Sequence, residues 1–137
     1  MIKGQCNHHK IIETLSISGH GNKVLIADGN FPIKTNSNIH AEKVYLGFSK
    51  DLPTVTDVLK SILTVINIEK VEVMDSSLKV EPEIFEEFKN ITGFKTLEKY
   101  ARQDFYDICQ SEDITLVINT GETRTFSNIL LTVGVTS

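Results

Sequence analysis

Apolar residues fall along the chain in two alternating rhythms. Ile11, Ile12 and Leu15 share one face of a short helix, and Gly19 stands where a left-handed residue would end it. Lys23 to Asp28 reads Lys-Val-Leu-Ile-Ala-Asp, a compact apolar run that predicts a buried strand ending at an acid. Lys43 to Leu46 is a weaker strand. Val55, Val58, Leu59, Ile62, Leu63 and Ile66 then follow the i, i+3, i+4, i+7 spacing of a helix, and Pro53 and Thr54 supply its start signals. Val71 to Met74 is another short strand. Pro82 opens a helix whose Ile84, Phe85, Phe88 and Ile91 face one way, and Gly93 closes it. A strand near Thr96 to Tyr100 leads to a helix beginning around Asp104. Ile114 to Ile118 and Ile129 to Val133 are the last strands, joined by a polar turn around Gly121 and close enough to run antiparallel.

Strands interleaved with helices predict an α/β fold, a three-layer α/β/α sandwich with a mainly parallel central sheet. No repeat or linker interrupts the pattern, so residues 1–137 are expected to form one domain. In open sheets of this kind ligands bind beyond the carboxyl ends of the strands. Asp28 falls at one such end and Arg102 at another, which predicts a shared cleft.

Composition narrows the partners. The chain is 40% hydrophobic and 23% charged, the balance of a globular protein. A formal net charge of −4 without a lysine or arginine cluster argues against nucleic acid and anionic membranes. No apolar run is long enough to span a bilayer, and Met1-Ile2-Lys3-Gly4, which lacks a signal-peptide core, is not expected to begin one. Cys6 and Cys109 are too few for a disulfide framework and lack metal-ligand spacing, so a reduced, cytoplasmic setting is expected.

Few residues offer chemistry. His20 lies in Gly19-His20-Gly21, where flanking glycines expose an imidazole suited to proton transfer near neutrality, or simply leave it facing solvent after a helix stop. Asp28, in Ala27-Asp28-Gly29-Asn30-Phe31-Pro32, suits orienting a histidine, accepting hydrogen bonds from ligand hydroxyls, or stabilising its own turn. Arg102 and Asn128 each adjoin an element end, where a ligand-binding role and an ordinary surface or turn role both fit. His8 and His9 read as a solvated entry to the first helix, and His40 as a loop residue without a partner. Cys109 reads as structural. No metal motif, phosphate-cradling loop or nucleophile elbow is present.

Taken together, Gly19-His20-Gly21-Asn22, Ile26-Ala27-Asp28-Gly29-Asn30-Phe31-Pro32, Phe105-Tyr106, Thr120-Gly121-Glu122 and Asn128-Ile129-Leu130-Leu131 with Gly134-Val135-Thr136 resemble the ribose pyranase and fucose mutarotase (RbsD/FucU) family. The likeness is strongest over residues 1–33 and 101–136 and loose from 34 to 100. It implies an α/β/α fold, pentameric rings often stacked as decamers, a free monosaccharide as partner, and no metal or organic cofactor. It implies that His20 transfers the proton and that Asp28 and Asn128 bind sugar. Arg102 matches the fucose branch, where the ribose branch has histidine. One position departs: Phe126 stands where the family usually has a sugar-binding tyrosine. The expected function is therefore a sugar mutarotase that interconverts anomers, or pyranose and furanose, of a free sugar such as L-fucose or D-ribose. The rivals are a sugar-binding or sensing protein on the same fold and a purely structural ring.

Overall fold

The computed structural model describes residues 1–137. Its elements in chain order are α1 (His9–Ile17), β1 (Lys23–Ala27), β2 (Glu42–Tyr45), α2 (Val55–Ile62), β3 (Ile68–Met74), α3 (Glu83–Thr92), β4 (Glu98–Tyr100), α4 (Arg102–Cys109), β5 (Ile114–Asn119) and β6 (Ile129–Val133). The strands form one six-stranded sheet in the order β2-β5-β1-β6-β3-β4. β2, β5 and β1 pair in parallel, as do β3 and β4. Only β6 runs the other way, antiparallel to both β1 and β3.

Alternation along β1 divides the core between two layers. Val24 and Ile26 join Leu15 of α1, Leu59 and Ile62 of α2, and Phe85 and Phe88 of α3 on one side of the sheet. Leu25 and Ala27 join Phe105 and Cys109 of α4, with Phe31 and Ile33 from the loop after β1, on the other. A sheet buried on both faces is what the unbroken apolar run of β1 requires, and the expected α/β/α sandwich is observed. No helix is long and apolar enough to cross a membrane.

Local starts follow the sequence signals. Thr54 and Asp57 form a reciprocal capping box at α2: the Thr54 hydroxyl accepts from the Asp57 N–H at 3.1 Å, and the Asp57 carboxylate from the Thr54 N–H at 3.1 Å. Gly93, at φ 77°, closes α3 as expected.

Several expectations are corrected. α1 ends at Ile17 with Ser18 in extended conformation, so Gly19 is not its left-handed stop; the positive φ belongs to Gly21, at 89°. The Ser18 hydroxyl explains the early end, since it donates to Thr14 O at 2.8 Å and meets the Thr115 hydroxyl at 2.8 Å. α2 stops at Ile62 although the apolar pattern runs to Ile66. There the Thr64 hydroxyl bonds Ser61 O at 2.7 Å and the chain tightens into turns, with Ile66 still packed on the core. α4 begins at Arg102 rather than near Asp104. β5 and β6 are opposed in direction but are not neighbours, because β1 lies between them. His8 is not a free entry residue either. Its Nδ1 accepts from the Ile11 N–H at 3.4 Å and caps α1, and its ring stacks on His9 at 5.0 Å between centroids.

The topology sorts the loops by sheet edge. The carboxyl ends of β1, β3, β4 and β5 share one edge with the entry to the reversed β6. The entries to β1 and β3 share the opposite edge with the exit of β6.

Candidate functional site

At the carboxyl edge lies a cleft of about 230 Å³. Asp28 comes from the end of β1, Met74 from β3, Arg102 and Tyr106 from the first turn and a half of α4, and Phe126 and Asn128 from the turn before β6. Asn30, Phe31 and Thr125 complete its wall. Asp28, Arg102, Phe126 and Asn128, four of the five sequence-predicted site residues, thus meet in one place.

Asp28 and Asn128 are both buried, each 7% exposed, and they hold each other. The Asp28 N–H donates to Asn128 Oδ1 at 2.8 Å, and Asp28 Oδ1 accepts from the Asn30 N–H at 2.9 Å. Burial raises the Asp28 carboxyl above its ordinary value. Hydrogen bonds from the Asn30 and Phe31 backbone and from the Asn128 amide oppose the rise, and the nearby Glu122 charge adds to it. A carboxyl raised on folding binds protons more readily in the native state, so stability falls as pH climbs from the ordinary carboxylate value to the folded one, and the full cost is present above it. Asp28→Asn, which keeps the shape and an acceptor, is therefore expected to melt higher than wild type at neutral pH while losing activity. Thermal unfolding should show that gain vanish below the usual carboxylate range, where both side chains are neutral.

The cation of the cleft is fixed through α4. Arg102 Nη2 donates to the Tyr106 hydroxyl at 3.2 Å, and the guanidinium carbon lies 5.5 Å from the centroid of that ring. Tyr106 in turn meets Phe31 at 5.5 Å between centroids. The lining of the cleft accordingly combines polar Asp28, Asn30, Arg102 and Asn128 with apolar Phe31, Met74 and Phe126. Phe126 adopts φ 59°, a left-handed conformation unusual for a bulky side chain and typical of places where surrounding structure over-determines the backbone.

A second cluster holds that turn. Glu122 is 1% exposed, and Arg124 grips it through Nε at 3.2 Å and Nη2 at 2.9 Å while Nη1 reaches Glu87 of α3 at 2.5 Å. Burial works against the Glu122 charge, but the bonds and charge of Arg124 outweigh it and keep the carboxyl below its ordinary value. Gly29 N–H donates to Glu122 O at 2.9 Å, and a Cβ on Gly29 would sit 3.2 Å from that same oxygen. A side chain at Gly29 would force the two loops apart by a few tenths of an ångström.

His20 is elsewhere. It precedes β1 at the opposite edge, in a groove with Leu15, Val65, Asn67, Val133 and Val135, and its Nε2 contacts both Glu69 oxygens at 3.0 and 2.9 Å. The length of β1, about 16 Å for five residues, separates it from Asp28 of its own chain. No three His, Cys, Asp or Glu side chains are grouped to hold a metal ion. Burial pushes the Cys109 thiol up to about 12, so it is a neutral packing group.

Sequence reasoning did not single out Tyr106, Arg124 or Glu69 as functional. For Tyr106 a signal existed, since it lies four residues after Arg102, one helical turn away.

Comparison with known proteins now adds to this geometry. The model of the RbsD / FucU transport protein family matches residues 1–136. The chain belongs to that family. Among its relatives, the Petrotoga mobilis protein named D-ribose pyranase is 32% identical over 121 residues, 85% of each chain. Bacillus subtilis RbsD, solved in complex with D-ribose, has the same fold, with a TM-score of 0.85 at 23% identity over 100% of both chains. The fucose mutarotase of Streptococcus pneumoniae, solved with L-fucose, gives 0.79 at 23% identity, covering 95% of this chain and 94% of that one. The family likeness expected from the five motifs is confirmed, and it extends to both branches.

Proposed function

We propose that this protein is a cytoplasmic monosaccharide mutarotase, opening and reclosing the hemiacetal ring of a free sugar such as L-fucose or D-ribose. The observation that carries the reading is the convergence of Asp28, Arg102, Phe126 and Asn128 on one cleft in a chain of this family. The cleft is smaller than those that hold drug-sized ligands and suits a single monosaccharide. Its mixed lining matches the two characters of a sugar, polar groups for the hydroxyls and apolar ones for the ring C–H groups. Relatives named for ribose and fucose ring chemistry support the same class of substrate.

Ring opening requires a proton to leave the anomeric hydroxyl and one to reach the ring oxygen. A single imidazole performs both in turn, contributing ~10²–10⁴-fold, with no cofactor in the step. Asp28, Arg102 and Asn128 hold hydroxyls and fix the anomeric carbon, a proximity effect. His20 is the proton-transfer group, and the β1 separation means that it serves the cleft of a second copy. Head-to-tail contact of opposite sheet edges closes into a ring, here a pentamer or a stacked decamer. Exposed Ile17 and Val65 on the His20 side, and Phe48 and Leu52 on the other, are apolar surface such a contact would cover.

A second reading, a sugar-binding or sensing protein without catalysis, draws on one observation: a phenyl ring, with no donor or acceptor, occupies the cleft at Phe126. Saturation-transfer NMR on fucose, ribose and galactose separates the two. An enzyme speeds exchange between ring forms, whereas a binder perturbs the sugar signals without doing so.

A further inference from the structure

The contact between His20 and Glu69 is made by a defect in the sheet. β3 pairs with β6 through Ile68↔Val133 and Lys70↔Thr132, so the β3 strand spends one extra residue, Glu69, against the same step of β6. A bulge of this kind breaks strict alternation and re-aims a side chain. Here it presents the Glu69 carboxylate to the loop ahead of β1, where both oxygens meet His20 Nε2 at 3.0 and 2.9 Å. The pair is partner-specific within the chain. Nε2 bonds nothing else, and Nδ1 makes no hydrogen bond at all.

We infer that Glu69 is a positioning residue that fixes the tautomer of His20 and makes Nδ1 the nitrogen that exchanges protons with the sugar. This rests on the proposed acid–base role of His20. An ionised carboxylate can only accept hydrogen bonds, so the nitrogen facing it carries the proton. The neutral ring is then the Nε2–H tautomer, with its lone pair on Nδ1. Nδ1 takes the proton of the anomeric hydroxyl. As the carbonyl forms, the bond from the anomeric carbon to the ring oxygen breaks, its electron pair goes to that oxygen, and Nδ1–H returns the proton there. No net proton is gained or lost, and Nε2–H stays with Glu69 throughout. Nothing else holds the ring: its side chain is 61% exposed and it makes no hydrogen bond other than to Glu69. A carboxylate at Nε2 thus supplies both orientation and proton location, as second partners of reactive histidines commonly do.

The test is ¹⁵N NMR of ring-labelled histidine in the assembled protein, with exchange kinetics on the same samples. Wild type should show His20 as the Nε2–H tautomer when neutral. Glu69→Gln keeps an acceptor oxygen and should keep both the tautomer and most of the rate. Glu69→Ala should yield a mixture of tautomers and lower kcat roughly three- to tenfold, the loss of about one hydrogen bond, with KM little changed. A wild-type ring protonated on Nδ1 overturns the inference, as does Glu69→Ala with unchanged tautomer, whatever its rate. If Glu69→Ala does not assemble, the wild-type tautomer and Glu69→Gln decide. His20→Ala, assayed alongside, separates the two claims. Its loss of rate beside an unaffected Glu69→Ala sinks the positioning role alone, and its full retention of rate sinks the acid–base role itself.

Discussion

His20→Ala is expected to slow ring exchange by about 10²-fold or more and to leave the fold intact, because general acid–base groups typically contribute 10²–10⁴-fold. The structural side of this expectation is unusually clean. The His20 side chain is largely exposed, fills no cavity and bonds only Glu69, itself 43% exposed. Truncation therefore removes an imidazole and little else, and surface changes of this type usually move stability by half a kilocalorie per mole or less, about ±0.5 kcal/mol. Circular dichroism and light scattering should match wild type. A variant with near-wild-type exchange and an unchanged spectrum would remove His20 from the mechanism.

The other large effect concerns where that histidine works. β1 keeps His20 and Asp28 of one chain at opposite sheet edges, so on the proposed mechanism each cleft receives its imidazole from a neighbour. His20→Ala and Asp28→Ala should each be nearly inactive alone. Refolded together from an equal mixture, they should recover activity, because some interfaces then join an intact cleft to an intact histidine. Random assembly in a head-to-tail ring gives roughly a quarter of the wild-type rate, half the clefts intact and half of those facing a good neighbour. Light scattering should show five or ten chains per particle. Mixed rings with no recovered activity would place the imidazole and the carboxylate in separate functions.

Much of this was legible in the chain because the relevant signals are local. Asp28 announces a strand end by following an apolar run, and Gly93 and Thr54 mark helix ends by their own chemistry. The alternation of Val24 and Ile26 against Leu25 and Ala27 requires cover on both faces, hence three layers. What stayed hidden depends on residues distant in sequence. Two strands separated by a short polar turn look like a hairpin, yet β1 pairs with both and parts them, a choice made by long-range packing. The Glu122–Arg124–Glu87 clamp needs α3 beside the last turn, and Glu69 meets His20 only because β3 bulges against β6. Gly19 misled because a serine hydroxyl one residue earlier already satisfies the helix end.

The turn that carries Phe126, where the family resemblance implies a tyrosine, is held from several sides. Phe126 holds its left-handed backbone within a turn tied by Thr123 to Asp51 at 2.6 Å, by Ser127 to Arg124 O at 2.6 Å, and by Arg124 to Glu122. Phe126 shares the lining of the cleft with Met74 and Phe31, and on the proposed function it offers apolar surface to the C–H face of a pyranose or the methyl group of a deoxy sugar.

The most direct test of the central claim is the exchange rate itself, measured by saturation transfer between the ring forms of each free sugar at catalytic protein concentration. The account predicts that at least one among L-fucose, D-ribose and D-galactose exchanges faster with wild type than in buffer, and that Asp28→Ala returns that rate to the buffer value. Exchange no faster than buffer for every sugar, from protein that is folded and assembled, would contradict it.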